Sequence, residues 1–221
     1  MKKTERLNYK IMLSANGIAL FALQLIGPFF VLFINQKGGS IENLGLLFGV
    51  SLLASSVTSY LIGRITDKIG RKPFLILSEF MAGVLIIFYL YIQNLPQLYA
   101  LQIAGGINSA IWGISEASFM ADITSKKTRG KSWGFYSMVL GIISAIGLML
   151  GGFAIGKFGF KFMFWVVAIM SFVSTIILFF IKEKKKMMEI RHLNKKDSSL
   201  WKSLLRKKPW EEKESDLGEK N

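Results

Sequence analysis

Apolar residues occur in this chain as long blocks separated by short polar stretches. The hydrocarbon core of a bilayer is roughly 30 Å thick, so a helix that rises about 1.5 Å per residue needs about 20 apolar residues to cross it. Six blocks meet that length: residues 11–34, 44–62, 74–92, 97–119, 132–155 and 160–181. The pattern predicts six membrane-spanning helices over residues 11–181, preceded by a short segment, 1–10, and followed by a basic tail, 182–221.

Lysine and arginine are concentrated on alternate connections between the blocks. They cluster in segment 1–10, in the turns at 63–73 and 126–131 and in the tail, whereas the three other connections hold only Lys37, Lys157 and Lys161. Because cytoplasmic loops carry such an excess, both termini of a multi-pass cell-membrane protein are expected in the cytoplasm. This distribution accounts for the net charge of +14 without nucleic acid as a partner and leaves the lipid bilayer in that role.

The first block follows basic residues, as the apolar region of a signal peptide does. It is too long for such a region and lacks an Ala-x-Ala exit, so it is interpreted as a retained span. The chain has no cysteine and one histidine, His192, which excludes disulfide chemistry and a histidine-based metal cluster within one chain. Paired acids at a shared depth are lacking too, so neither an enzyme nor a cofactor is expected.

Polar residues are distributed unequally among the six spans. The third and sixth spans are almost uniformly apolar, which suits helices that face lipid on most sides. Polar groups in hydrocarbon are costly unless they are hydrogen-bonded to one another or to water. The other four spans are therefore expected to line a cavity. The lipid-facing helices are thus the last of each group of three, which is the arrangement expected for two inverted three-helix repeats. The polar positions are Asn16, Gln24, Ser51, Ser55, Ser56, Ser59, Asn108, Ser109, Trp112, Ser137 and Ser144.

The turn GRITDKIGRKP, residues 63–73, joins the second and third spans. Gly63 and Gly70 permit tight backbone geometry or close helix approach, and Pro73 suits a first helical turn. Asp67 is the one acid among four cations. A helix N-terminus stabilises such an anion by about 0.3 to 1 kcal/mol, so Asp67 is a candidate latch between conformations; the alternative is that it balances its neighbours in solvent.

This turn resembles the signature that joins the second and third spans in the major facilitator superfamily of secondary transporters. The matching residues are Gly63, Asp67, Lys68, Gly70, Arg71 and Lys72. The resemblance covers residues 10 to about 210. It implies an all-α integral membrane fold, the six-helix N-terminal half of such a transporter, in which Asp67 meets a helix of the opposite half.

A second phrase, ADITSKKTRGKSWGF, is similar to the family's turn between the fourth and fifth spans. The matching residues are Asp122, Arg129, Gly130 and Gly134. In the family the basic residues of the first turn pair with the acid that ends the fourth span. The resemblance therefore implies an intracellular ion pair between Arg71 and Asp122, and it adds Arg129 to the residues expected to form the cytoplasmic latch and gate.

Two departures from the family bear on mechanism. Gln102 stands where proton-linked members often carry an arginine, and the fifth-span stretch Gly147 to Gly152 lacks the proline common in drug/proton antiporters. Proton coupling through this half is therefore not expected, although the glycines still permit close packing. Glu79 and Glu116 lie within roughly 8 Å of the cytoplasmic boundary and are interpreted as ion-pair members of a gate, with proton carriage as the alternative.

Gln24, Asn108 and Trp112 lie near the middle of the first and fourth spans. In the resembled fold these spans face the central cavity, so the three residues are predicted to contact substrate. The alternative is that Gln24 and Asn108 form bonds across packed helices, worth about 1 kcal/mol each.

The expected function is transport of small solutes by alternating access, resembling drug or metabolite efflux. Rocking of one bundle against another needs a second bundle, either a second copy of this chain or a separately encoded half. The alternatives are half of an uptake permease for sugars or metabolites, a truncated remnant, and a non-transporting scaffold whose basic tail binds anionic lipid. In the tail, Leu200, Trp201, Leu204 and Leu205 share one helical face, which indicates an interfacial helix or a solvated linker, and the last residues are predicted to be disordered.

Overall fold

The computed structural model describes residues 3–182, and every regular element in that part is helical. The predicted interfacial helix, the disordered end and His192 lie outside the described residues. The helices are α1 (Lys3–Ile26), α2 (Phe30–Gln36), α3 (Ile41–Ile69), α4 (Lys72–Tyr89), α5 (Leu95–Ile123) and α6 (Arg129–Phe179). Within residues 3–182, four helical stretches are long and apolar enough to cross a membrane: Lys3–Gln36, Ile41–Ile69, Lys72–Tyr89 and Arg129–Phe179.

The first predicted span is helical throughout but changes geometry near its end. A single 3₁₀ turn, Gly27–Phe29, separates α1 from α2. Pro28 lies in this turn, and its missing N–H removes one α-helical hydrogen bond. The block of apolar residues therefore forms one membrane-length segment with a local break at the proline.

The turn between α3 and α4 has one glycine with a clear backbone role. Gly70 ends α3 with φ 118° and ψ 168°, a conformation that side chains disfavour, and its N–H bonds to the Thr66 carbonyl oxygen. Pro73 is the second residue of α4, as predicted. The expectation for Gly63 is wrong, because it lies inside α3 with open space where a side chain would be.

The predicted connection between the fifth and sixth spans is much shorter than the sequence indicates. Helical structure continues across the segment GKFGFK, and only Gly159, with φ 75° and ψ 170°, is non-helical. The chain nevertheless doubles back there. Tyr136 and Ser174, on opposite sides of Gly159, bond to Asn16 and Ala15, which are adjacent residues of α1. A glycine at this position allows a reversal with almost no loop.

Helices approach most closely where a glycine faces a neighbouring backbone. A Cβ on Gly147 would lie 2.8 Å from the Phe21 carbonyl oxygen, and one on Gly151 would meet the backbone of Leu25, so α6 packs directly on α1. Gly106 of α5 faces the backbone of Ser51 in α3 in the same way. The predicted close packing at the fifth-span glycines is thus confirmed, whereas the contact at Gly106 was not foreseen.

The contact at Gly106 predicts a loss of stability in Gly106→Ala, because the new methyl group would collide with the Ser51 backbone. Overpacking of this kind costs about 1 to 3 kcal/mol. Gly113→Ala on the same helix is the matched control, since a Cβ there meets open space. Thermal unfolding in mild detergent measures both, and equal midpoints for the two variants would contradict the close contact.

Candidate functional site

A cavity of about 400 Å³ lies between α1, α4, α5 and the second part of α6. Pockets of roughly 300 to 1,000 Å³ accommodate small-molecule ligands. Most of the lining is apolar and includes aromatic rings, among them Phe30, Phe48 and Phe164. The polar groups of the lining belong to Asn16, Ser78, Glu79, Tyr89, Gln102, Asn108, Ser109, Trp112 and Ser171. A concave, partly polar surface is therefore present, but the helices that form it differ from those predicted. The third and sixth spans, expected to face lipid, line the cavity because their few polar residues, among them Ser78 and Ser171, turn inward, whereas the second span supplies only Phe48 to the described lining and the fifth span supplies none.

The structure brings two of the three predicted substrate residues together. Asn108 and Trp112 both line the cavity, because residues four apart share one face of α5. Gln24 is absent from the described lining and lies on the side of α1 that meets Gly147 of α6. The sequence correctly indicated that α1 lines the cavity, but it could not show on which face of α1 the Gln24 side chain lies.

Glu79 lies on α4 with only 5% of its surface exposed, and it lines the cavity. Its Oε1 atom is buried without a hydrogen-bond partner in the described part of the chain. Among residues 3–182, no lysine or arginine comes within ion-pair distance of Glu79 or Glu116. The basic partners that a gate ion pair requires are thus not found beside either acid in residues 3–182.

Glu116 is held by neutral hydrogen-bond donors from three helices. Its Oε1 accepts bonds from Asn16 Nδ2 at 2.6 Å and from the Tyr136 hydroxyl at 2.7 Å, and its Oε2 accepts one from Trp112 Nε1 at 3.1 Å. Asn16 and Tyr136 are also bonded to each other, at 2.8 Å. This network ties α1, α5 and α6 together. Sequence reasoning missed Tyr136, whose only signal was a polar ring near the start of the fifth span.

The turn at 63–73 carries a three-residue ion network. Arg71 Nη2 lies 3.0 Å from Asp67 Oδ1, and Arg71 Nε lies 3.2 Å from Asp122 Oδ2, at the end of α5. The Arg71 side chain is only 14% exposed, whereas that of Asp67 is 70% exposed. The Nε atom meets Asp122 without hydrogen-bond geometry, so charge holds this second contact. Arg71 is thus a mostly buried side chain that links the end of α3 to the end of α5, and Asp67 is the solvent-accessible member of the network.

Two further basic residues of the turns meet the carboxyl ends of helices. Lys72 Nζ donates to the carbonyl oxygens of Phe179 and Ile181 at 2.9 and 2.7 Å. Arg129 Nη2 donates to the Ala121 carbonyl oxygen at 2.8 Å. Cations stabilise the last turn of a helix, where carbonyl groups lack intrahelical partners. Lys68 is exposed and Gly130 and Gly134 face open space.

The network around Glu116 predicts that Tyr136→Phe lowers stability by about 1.5 to 3 kcal/mol, the worth of a hydrogen bond to a charged group. The substitution removes the hydroxyl and leaves Asn16 and Glu116 each with one bond fewer. Tyr91→Phe is the control, because that ring is 65% exposed. Thermal unfolding of the two purified variants is the measurement, and a midpoint for Tyr136→Phe equal to that of the unaltered protein would contradict the network's contribution.

Comparison with known proteins places these features in a family. The model of the Major Facilitator Superfamily matches residues 12–210. The uncharacterized MFS-type transporter YitZ of Bacillus subtilis is 30% identical over 158 residues, which cover 72% of this chain and 96% of that protein. Multidrug resistance protein 2 of Bacillus subtilis is 27% identical over 195 residues, covering 87% of this chain and 48% of the relative.

The tetracycline resistance protein, class H, of Pasteurella multocida is 32% identical over 143 residues, covering 64% of this chain and 35% of that protein. The chain thus spans nearly the whole of one relative and about half or less of the other two. The family model covers most of the chain and agrees with the apolar helices. This multi-pass membrane protein therefore belongs to the Major Facilitator Superfamily, whose members are transporters rather than enzymes.

Proposed function

We propose that the chain forms one half of a secondary transporter that exports a small, drug-like solute across the cell membrane by alternating access. The observation that carries this proposal is the cavity of about 400 Å³, which is mostly apolar but holds a few converging polar groups. The multidrug and tetracycline resistance proteins among the relatives support efflux as the direction. Asn108 and Trp112 then contact the solute from α5.

Residues 11–181 form six membrane crossings in this proposal, with Gly159 as the reversal between the last two. The helix pairings support two inverted three-helix repeats. The first span packs on the fifth at Gly147, the second on the fourth at Gly106, and the third on the sixth where Gly83 meets the Phe172 ring. Exchanging spans one to three with spans four to six returns the same three pairings. The distribution of basic residues supports cytoplasmic ends for segments 1–10 and 182–221.

A second bundle completes the transporter. The cavity is open at a rim where Leu23 and Phe48 are 52% and 50% exposed, so the described bundle supplies only part of the wall around a solute. Alternating access is a rocking of two bundles about a site between them. The other bundle is a second copy of this chain or a separately encoded half.

If the second bundle is another copy of this chain, the protein is expected to be a dimer in mild detergent. Since the chain has no cysteine, Phe48→Cys gives a single thiol at the cavity rim, and oxidation is expected to yield a disulfide-linked dimer. Tyr91→Cys, at a position on the turn after α4 that is at least as exposed, controls for random collision. Light scattering and gel mobility measure the outcome. A monodisperse monomer that still transports would contradict the need for a second bundle.

Asp67 acts as a latch in the proposed cycle, with its carboxylate meeting a helix N-terminus of the second bundle. Its exposure leaves it accessible for that contact, while Arg71, which is itself paired with Asp122, holds it in place. The pair with Arg71 lies on the surface, where such pairs contribute only about 0.2 to 1 kcal/mol. Removing the Asp67 carboxylate is therefore expected to change the free energy of unfolding of the bundle only slightly.

Asp67→Asn is expected to reduce solute flux about two- to fivefold in reconstituted vesicles, since loss of a contact worth about 0.3 to 1 kcal/mol at a helix N-terminus accounts for that range. Insertion and thermal stability are expected to stay unchanged. Glu42→Gln, the same change from acid to amide at an exposed position outside the turn, is the control. Full flux in Asp67→Asn would contradict the latch, and absence of flux in the unaltered, paired protein would favour the scaffold alternative.

A further inference from the structure

Two buried hydrogen-bond acceptors in the cavity have no partner in the described part of the chain. They are Glu79 Oε1 on α4 and Asn108 Oδ1 on α5. Both residues line the cavity. A buried polar atom without a partner is costly, and an unpaired carboxylate is the costlier of the two. Two such atoms, on two different helices of one cavity, indicate a ligand that supplies hydrogen-bond donors.

Several donors of the cavity are already used by the protein. Trp112 Nε1 and Asn16 Nδ2 both donate to Glu116, and the Ser78 hydroxyl donates to the Phe74 carbonyl oxygen. The described lining contains no lysine or arginine. The cavity therefore offers an acid and a free amide oxygen to a solute but no basic group, a combination that disfavours anions.

The remainder of the cavity suits an apolar or aromatic body. Rings of Phe30, Tyr89, Trp112 and Phe164 contribute to its lining. Aromatic faces attract a cation within about 6 Å of the ring centre, in addition to burying apolar surface. A small inorganic cation would use the carboxylate but would leave this apolar volume unfilled.

Glu79 and Glu116, the two acids inside the predicted spans, differ in how many of their carboxylate oxygens are hydrogen-bonded. Both Glu116 oxygens accept bonds from protein donors, and Glu116 is not among the described lining residues. Glu79 Oε1 accepts none within residues 3–182. This geometry assigns Glu116 to holding the helices together and leaves the Oε1 atom of Glu79 available to a ligand.

We infer that Glu79 is the anchor for a positively charged amine on the transported solute, with Asn108 as a second acceptor, so that the substrate class is an organic ammonium with an aromatic or aliphatic body. This inference rests on the proposed function, because it names the solute of the same cavity. The ammonium N–H groups donate to Glu79 Oε1 and Asn108 Oδ1, while the body lies against the aromatic lining.

The test uses three probes that share one body: phenylbutylamine, phenylbutanol and phenylbutyrate. Calorimetry on the purified full-length chain in mild detergent measures their binding. The amine is expected to bind tightest and the carboxylate weakest. Glu79→Gln keeps the shape but removes the charge, so amine affinity is expected to fall about tenfold while alcohol affinity stays within about twofold. Glu42→Gln, at an exposed acid outside the cavity, is the matched control and is expected to keep full amine affinity.

Several results would overturn the assignment. They are equal binding of the three probes, preference for phenylbutyrate, and an unchanged amine preference in Glu79→Gln. Loss of the amine preference when NaCl replaces KCl would assign Glu79 to sodium instead. Should Glu79→Gln fail to fold, the ranking of the three probes on the unaltered chain and on Glu79→Asp still decides the question.

Flux measurements separate this inference from the proposed function. Glu79-dependent amine binding without flux in reconstituted vesicles would uphold the site and contradict transport. Flux of a solute without any Glu79-dependent preference for amines would uphold transport and contradict the site.

Discussion

Polar groups on helices that cross a membrane must find partners inside the protein, because hydrocarbon supplies none. This requirement organises the bundle around Glu116. Its carboxylate accepts hydrogen bonds from donors on α1, α5 and α6, so the first helix is fixed in register with two helices that lie about 100 residues or more further along the chain. Glu79 is the exception to this requirement, because its buried Oε1 has no hydrogen-bond partner among the described residues.

Close backbone contact supplies the rest of the architecture. Membrane helices lack a hydrophobic drive toward one another, so association depends on packing, which small residues improve. Gly106, Gly147 and Gly151 let α5 meet α3 and α6 meet α1 without an intervening side chain. These contacts occupy one side of each helix. The faces that remain surround the cavity or form the exposed surface of α3, whose span is almost entirely unburied within the described bundle.

The turn at 63–73 connects the ends of several helices. Arg71 connects the ends of α3 and α5, and Lys72 holds the end of α6. The helices of this end are thus linked through charge and helix-end contacts rather than through apolar packing alone. In the proposed transporter, helix ends linked in this way suit a bundle that moves as one unit against a second bundle. Asp67 is exposed and is the part of the turn that a second bundle could contact.

Sequence alone determined the helical character, the approximate limits of the apolar segments and the family, because block length and the Gly70–Arg71–Lys72 turn are local features. It could not place side chains around each helix, since that depends on which neighbours the helix meets. Gln24 was expected in the cavity and faces α6, whereas Glu79 was expected at a gate and lines the cavity. The partners of Glu116 lie about 20 and 100 residues away in the chain, a separation that only the folded bundle closes.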